Sequence, residues 1–304
     1  RGVRVSKNRI HTTHGPNPSS TSYAAYGIYY TGAAGDSIAP NLVSNNLLYN
    51  FNSLTGSIYG IYVTGGAHVY VLHNTTVFDN DSSTSGLVYA NYFLGTGTDH
   101  RFQNNITYVS RAGSGTKYCL YITGASNVPI SNNNVLTMLS TAGTNGVGYY
   151  TTGFPTLANW QTANNGAFDQ NSTDADPAFV NRAAFDFVPT AFPANNIGAN
   201  LSALVATDLN GQNRSVTPDP GVYEFSPASL DASLANPTLL INGVATPIAD
   251  GCIPRLTLPL QVEVTNSGLD TMVNASVSYR LNSSTAVTEI IAGPVVPGAT
   301  VNHV

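Results

Sequence analysis

At 304 residues the chain has room for one large or two ordinary domains, yet only 9% of its residues are Asp, Glu, Lys or Arg, against about 25% in ordinary soluble domains. The formal net charge of -5 is unevenly spread, and neither half carries the dense basic patch that phosphate-backbone binding requires, which argues against nucleic acid as a partner. No apolar run approaches the roughly 18 residues of a membrane span, and no signal peptide opens the chain.

The first residues enter in mid-pattern at Arg1 and the last leave in mid-strand at Val304, as expected of a fragment of a longer protein with further domains. His11 and His14 are separated by two threonines with no carboxylate or cysteine nearby, a poor ligand set. Cys119 and Cys252 are the only cysteines, too few for a disulfide framework or a Cys-rich metal site, and are expected as buried free thiols in different domains.

An eight-residue phrase then appears twice, YGIYYTGA from Tyr26 and YGIYVTGG from Tyr59. Its relatives GLVYAN at 86–91, CLYITG at 119–124 and GYYTTG at 148–153 recur about every 30 residues. An Asn before a β-rich stretch keeps the same beat at Asn8, Asn46, Asn74, Asn105 and Asn134. A unit this short cannot bury a core alone and must stack on its copies, and its Val, Ile, Tyr and Thr content makes the stack a β-solenoid of about five coils. Asn46, Asn74, Asn105 and Asn134 are expected to stack as a structural ladder of amides, bonding up and down the column about 4.8 Å apart. Such internal ladders resemble those of right-handed parallel β-helices of the pectate-lyase-like class, a resemblance of architecture over residues 1–170.

Period-two alternation puts Ile28, Ile61, Val63, Leu120 and Ile122 in the core. Tyr29, Tyr62, Tyr121 and Tyr150 then point outward in register, interrupted at Val88 and flanked by Thr31, Thr64, Thr123 and Thr152. A row of rings beside hydroxyls is a candidate glycan-binding face, since sugar C–H faces stack on aromatic rings.

For catalysis the coils offer no Glu, which first appears at Glu224, and only Asp36, Asp79, Asp81 and Asp99 as carboxylates. His68 and Asp99 each lie six residues before their ladder Asn, and Tyr70 and Arg101 four before, so the four are expected as neighbours on adjacent coils. In that patch Arg101 would hold a substrate carboxylate and His68 or Tyr70 would take a proton. Asp79, Asn80 and Asp81 are a weaker candidate for calcium. The sequons at Asn74 and Asn105 are expected by chance in so Asn- and Thr-rich a chain.

The run NWQTANNGAFDQNSTDADPAFVN at 159–181, DFVPTAFPANNIGAN at 186–200 and TDLNGQNRSVTPDPGVYEF at 207–225 follow. A Trp-bearing helical turn, D-x-D-P-x-F, D-F, D-x-x-G-x-x-R and G-x-Y-E in this order resemble the closing segment of a family of secreted bacterial β-helix proteins. Asp208, Asn210, Gly211 and Asn213 faintly match a calcium loop, but the terminal Glu is missing and the resemblance makes them a closing turn. Alternation in LPLQVEVTNSG and NASVSYRLN reads as strands of a small sandwich, similar to the Ig-like adhesion modules of exported surface proteins.

The expected organisation is therefore all-β: parallel β-helix coils at 1–170, a closing segment at 171–226, a linker at 227–236 and a truncated Ig-like β-sandwich at 237–304. The resemblance implies a bacterial protein at the cell surface or secreted, exported by the type IX route, with an adhesive or structural role and glycan binding through the β-helix face. The alternative is a polysaccharide lyase or glycoside hydrolase on the same scaffold. No cofactor or metal is expected other than calcium in the sites named.

Overall fold

The computed structural model describes residues 2–14, 23–32, 34–94, 97–124, 128–229, 231–241, 244–247, 259–280 and 284–304. It divides into two compact units, one of Arg1–Pro189 with Ala194–Phe225, the other of Thr190–Pro193 with Ser226–Val304. Cys252 lies outside the described residues.

The first unit is a parallel β-solenoid whose coils each place one strand in each of three sheets. The first sheet stacks Arg4–Ser6, Asn41–Ser44, Val69–Leu72, Arg101–Gln103 and Ile130–Asn132. The second stacks Arg9–His11, Leu47–Tyr49, Thr75–Phe78, Ile106–Val109 and Val135–Met138. The third stacks Ala25–Tyr30, Ile58–Val63, Val88–Phe93, Lys117–Ile122 and Asn145–Tyr150, with Thr152–Phe154 added antiparallel at its end.

Between the first and second sheets the chain turns through one left-handed residue per coil: Lys7, Asn45, His73, Asn104 and Asn133. Asn suits this conformation best, and the ladder Asn follows immediately. Each ladder side chain accepts from the coil before it: Asn46 Nδ2 donates to Asn74 Oδ1 at 2.9 Å, Asn74 Nδ2 to Asn105 Oδ1 at 3.1 Å, and Asn105 Nδ2 to Asn134 Oδ1 at 3.2 Å. The backbone N–H of each donates to the same oxygen, so the amides satisfy buried groups that a corner would otherwise orphan. Asn8 joins the column through Asn46.

Inside, Val43, Leu48, Ile61, Val71, Phe78, Phe102 and Leu120 form one continuous core with their coil neighbours. The third sheet departs from strict alternation. Gly60 and Ile61 both face this core, as do Cys119 and Leu120, so the strand bends and the residues on either side of the pair both point outward. Tyr59 and Tyr62 thus share the outer face, where alternation would place them on opposite sides.

The observed register corrects two positions. Tyr29, Tyr62, Tyr92, Tyr121 and Tyr149 stand in one column, so the third coil contributes Tyr92 and Val88 is a core residue. Tyr150 is not in that column: it packs against the core beside Phe168. The last coil holds one extra residue before its closing glycine, absorbed by Thr151 at φ 60°, and this shifts the phrase by one place.

The helix Leu157–Gln161, capped by Thr156 Oγ1 on the Asn159 N–H, lays Trp160 across the last coil. Trp160 is fully buried and stacks on Phe168 at 4.4 Å. Gly148 occupies the column of Ile61 and Leu120, and a Cβ there would meet the Trp160 ring at 2.3 Å, so only glycine allows the helix to close the stack. Asp169 ends the ladder: its carboxylate accepts from Asn134 Nδ2, Ser131 Oγ, Ser172 Oγ and Trp160 Nε1.

The closing segment then covers two outer faces of the solenoid. Phe187, Val222 and Tyr223 pack on Leu47, Tyr49, Val77 and Tyr108 of the second sheet, and Val205 with Leu201 and Leu204 packs on Leu42, Tyr70 and Leu72 of the first. The left-handed asparagines hold its backbone, Asn45 Nδ2 donating to Thr207 O at 2.7 Å, Asn104 Nδ2 to Ala199 O at 2.8 Å and Asn133 Nδ2 to Ile197 O at 2.8 Å. Arg214 from D-x-x-G-x-x-R and Glu224 from G-x-Y-E form a buried pair at 2.7 Å, which ties the two phrases together in the fold.

In the second unit a four-stranded antiparallel sheet includes Ala232–Ile241, Leu260–Asn266 and Thr300–His303, and a two-stranded sheet pairs Ser276–Tyr279 with Val287–Ile290. Val264, Met272, Val277, Ile291 and Val295 form its core. Residues expected as a linker, 227–236, include the start of the strand Ala232–Ile241, which pairs antiparallel with Leu260–Asn266 through a register shift between Ala235 and Thr238.

Candidate functional site

Among the described residues the closing segment packs on the first two sheets, and the outer face of the third carries the tyrosines. It carries a second tyrosine column beside the first: Tyr26, Tyr59, Tyr89 and Tyr118 in register. The sequence signal for it was available, since each of these tyrosines stands three residues before a member of the other column in a Y-x-x-Y spacing. Strict alternation hides this, because it assigns the two to opposite faces.

The rings stack along the column axis. Tyr26 lies on Tyr59 at 4.6 Å and 6°, Tyr29 on Tyr62 at 5.0 Å and 10°, and Tyr121 on Tyr149 at 4.2 Å and 8°, while Tyr89 stands edge-on to Tyr59 and stacks across the columns on Tyr121 at 3.9 Å and 13°. Tyr92 stands edge-on to Tyr62 and Tyr121 and breaks the run. Stacked rings turn their faces to each other, so interior members offer edges, and exposure rises at one end, to 43% at Tyr26 and 55% at Tyr29 against 9% at Tyr62. The platform is therefore graded, with its accessible aromatic surface at the Tyr26–Tyr29 end.

Burial, with neighbouring phenols adding to it, pushes Tyr62 up to about 12 and Tyr121 higher still. A phenol whose folded pKa exceeds its unfolded value of about 10 favours the folded state below pH 10, and that contribution is lost as pH climbs through the folded value. We expect the phenolate absorbance near 295 nm to rise in two stages, with Tyr62 and Tyr121 in the later one, and stability to fall between about pH 10 and pH 12. A single transition at the ordinary tyrosine pKa in the folded protein would show that the columns are solvated.

The four patch residues do converge. His68 Nδ1 lies 2.7 Å from Asp99 Oδ2, the Tyr70 hydroxyl donates to the same oxygen at 2.6 Å, and Arg101 Nε lies 3.6 Å from Asp99 Oδ1. The Arg101 guanidinium sits over the Tyr70 ring at 4.4 Å, as their direct pairing across the first sheet requires. His68 and Asp99 occupy left-handed positions at φ 51° and 50° on successive coils. Burial raises the Asp99 carboxyl, but hydrogen bonds from Tyr70 and His68 and the charge of Arg101 outweigh it and hold the group below the usual range. Burial and its hydrogen bond to Asp99 push Tyr70 up to about 12, and its hydroxyl is already donating. Tyr70 is thus a poor proton acceptor, and of the two candidate bases only His68, half-buried with Nδ1 held by Asp99, keeps a ring nitrogen for outside chemistry.

The other candidates are dispersed. His11 stacks on Tyr49 at 4.7 Å and bonds Thr12, while His14 bonds Thr13. Asp208 spends both carboxylate oxygens on backbone N–H groups, of Gln212 at 2.8 Å and Glu224 at 3.2 Å, which makes its loop a closing turn. The sequon residues Asn74 and Asn105 are buried ladder members. Cys119 is a buried free thiol whose pKa burial raises. Among the described residues no group of three His, Cys, Asp or Glu side chains is gathered to hold a metal ion, and no helix is long and apolar enough to cross a membrane. No family model, curated protein or solved structure matches this chain.

Proposed function

We propose that the chain belongs to an extracellular bacterial protein, secreted or held at the cell surface, whose role is adhesive or structural and whose solenoid contacts glycan through the tyrosine face. In this reading the solenoid is a right-handed parallel β-helix of the pectate-lyase-like class, the second unit is an Ig-like module, and further domains of the same chain complete the protein. The observation that carries it is the pair of tyrosine columns on the outer face that the closing segment leaves open. Phenolic edges and hydroxyls with flanking threonines suit the polar margins of a sugar chain, and the Tyr26–Tyr29 end offers ring surface for its C–H faces.

The test is affinity electrophoresis through gels holding neutral and acidic polysaccharides. Retardation that a Tyr26→Ala, Tyr29→Ala double variant abolishes, with its melting temperature kept, supports the reading. Retardation indifferent to that variant in every gel, or none in any, overturns it.

The His68–Asp99 contact favours a second reading, a polysaccharide lyase in which Arg101 holds a uronate carboxylate and His68 takes the proton. We expect no release of unsaturated or reducing ends from pectin or alginate, with or without calcium. Calcium-independent release that His68→Ala abolishes in a folded protein would replace the adhesive reading with the enzyme.

A further inference from the structure

At the corner where the second sheet turns toward the third, an open groove of about 450 Å³ runs between two stacked turns of the solenoid and a loop of the closing segment. Asn50 and Asn52 line it from one coil and Asp79 and Asp81 from the next, while Arg182 and Phe185 face them from the loop. The three-residue turn Asp79-Asn80-Asp81, read from sequence alone as a solvated turn or a weak calcium candidate, is therefore one wall of a built cleft.

We infer that this groove is a binding site for a neutral saccharide, separate from the tyrosine face and resting on the reading above only in taking glycan as the ligand. Its chemistry is of two kinds. Phe185 is 46% exposed, sits at φ 59° and is braced by Tyr49 at 5.1 Å, with Tyr49 in turn stacked on His11. A bulky residue in the left-handed region, held on the surface beside polar walls, is an aromatic face offered to something with C–H groups.

The opposite wall is amides and carboxylates, whose planar pairs of donors and acceptors match vicinal hydroxyls. These groups are held in place before any ligand arrives. Asn80 Nδ2 donates to Ser53 O at 3.2 Å, Asn50 Nδ2 to Thr12 Oγ1 at 3.2 Å, and the Ser82 hydroxyl to Asp81 Oδ1 at 3.2 Å.

Charge decides the class of sugar. Arg182 is already committed, 3.7 Å from Asp79 and over the Tyr108 ring at 4.9 Å, so its charge is spent on the wall itself. Two carboxylates against one engaged guanidinium leave the cleft negative, which repels uronates and sulfated sugars. Burial raises Asp79 against the lowering effect of Arg182, consistent with a carboxyl set back from solvent in the groove wall.

The experiment is affinity electrophoresis of the chain in gels containing dextran, xylan or galactomannan, with polygalacturonate as the acidic control. The proposal expects retardation by at least one neutral polymer and none by polygalacturonate. Phe185→Gly, which suits the left-handed backbone, and Asp79→Asn should each weaken that retardation at least tenfold while circular-dichroism melts confirm folding. Tyr26→Ala, Tyr29→Ala should leave it unchanged in the neutral gel where Phe185→Gly and Asp79→Asn weaken it, whatever that variant does in the other gels. Retardation lost with the tyrosine variant but kept in Phe185→Gly and Asp79→Asn overturns the groove and leaves the tyrosine face standing. The groove proposal also falls if no neutral polymer retards the chain, or if calcium chloride alone raises the melting temperature in an Asp79-dependent way without saccharide binding.

Discussion

Replacing Arg111 with Met should cost the solenoid about 3–5 kcal/mol, the largest loss expected from any single polar side chain in it. Arg111 is 0% exposed, and its guanidinium donates to four carbonyls on successive coils: Leu87 O at 3.3 Å, Ser53 O at 2.9 Å, Gly56 O at 3.1 Å and Ser85 O at 3.2 Å. Burial lowers it to about 10, so the site keeps the charge at neutral pH and pays for it with backbone oxygens alone. Met fills the apolar stem's volume but removes four charge-assisted bonds at once. Ser53 O, Ser85 O and Leu87 O keep one further donor each in Asn80 Nδ2, Ser83 Oγ and the Ile58 N–H, so the loss is of those bonds rather than of every partner. Lysine would restore the charge without the fork, and Lys117 in the next corner shows its reach: Nζ bonds Gly113 O, Gly115 O and Ala142 O. Urea denaturation followed by far-ultraviolet circular dichroism should therefore rank the wild type above Arg111→Lys and Arg111→Met lowest. A loss below about 1 kcal/mol for Arg111→Met would mean that water enters this corner and serves the carbonyls.

The second large effect is expected at the middle of the amide ladder. Asn105→Ala removes the oxygen that accepts both the Asn74 N–H at 2.9 Å and Asn74 Nδ2 at 3.1 Å. It also removes the Nδ2 that serves Val71 O and Gln103 O at 3.0 Å and Asn134 Oδ1 at 3.2 Å. Several buried donors and acceptors lose partners at once, for a loss of about 3 kcal/mol or more. Asn8→Ala is the control, because Asn8 is exposed at the outer rung and makes the same kind of bond where water can replace it, for a loss of about 1 kcal/mol or less. Denaturation midpoints that fall equally in the two variants would show that the ladder gains nothing from its burial.

The ladder and the tyrosine face also mark how far local pattern reaches. A side chain that must repeat in every coil to satisfy its neighbour leaves a beat in the sequence, so Asn46, Asn74, Asn105 and Asn134, and the apolar Ile28, Ile61 and Leu120, were legible from spacing alone. The patch of His68, Tyr70, Asp99 and Arg101 was legible for the same reason, since equal offsets from the ladder become neighbours when coils stack.

What the sequence alone determined was thus everything governed by coil-to-coil repetition: the all-β solenoid, its register along the Asn column and the residues that repetition brings together. Tertiary structure decided the rest. Two consecutive inward residues bend each third-sheet strand, and that bend, invisible to a period of two, puts Tyr26, Tyr59, Tyr89 and Tyr118 beside the expected column. Thr151 in the left-handed region accommodates the extra residue of the last coil, so that Tyr150 packs against the core instead of joining the column. The groove between Asp79 and Phe185 joins segments about a hundred residues apart, the span of chain between them. No repeat connects those segments, so only the return of the closing segment along the solenoid, fixed by Asn45, Asn104 and Arg214, could bring them face to face.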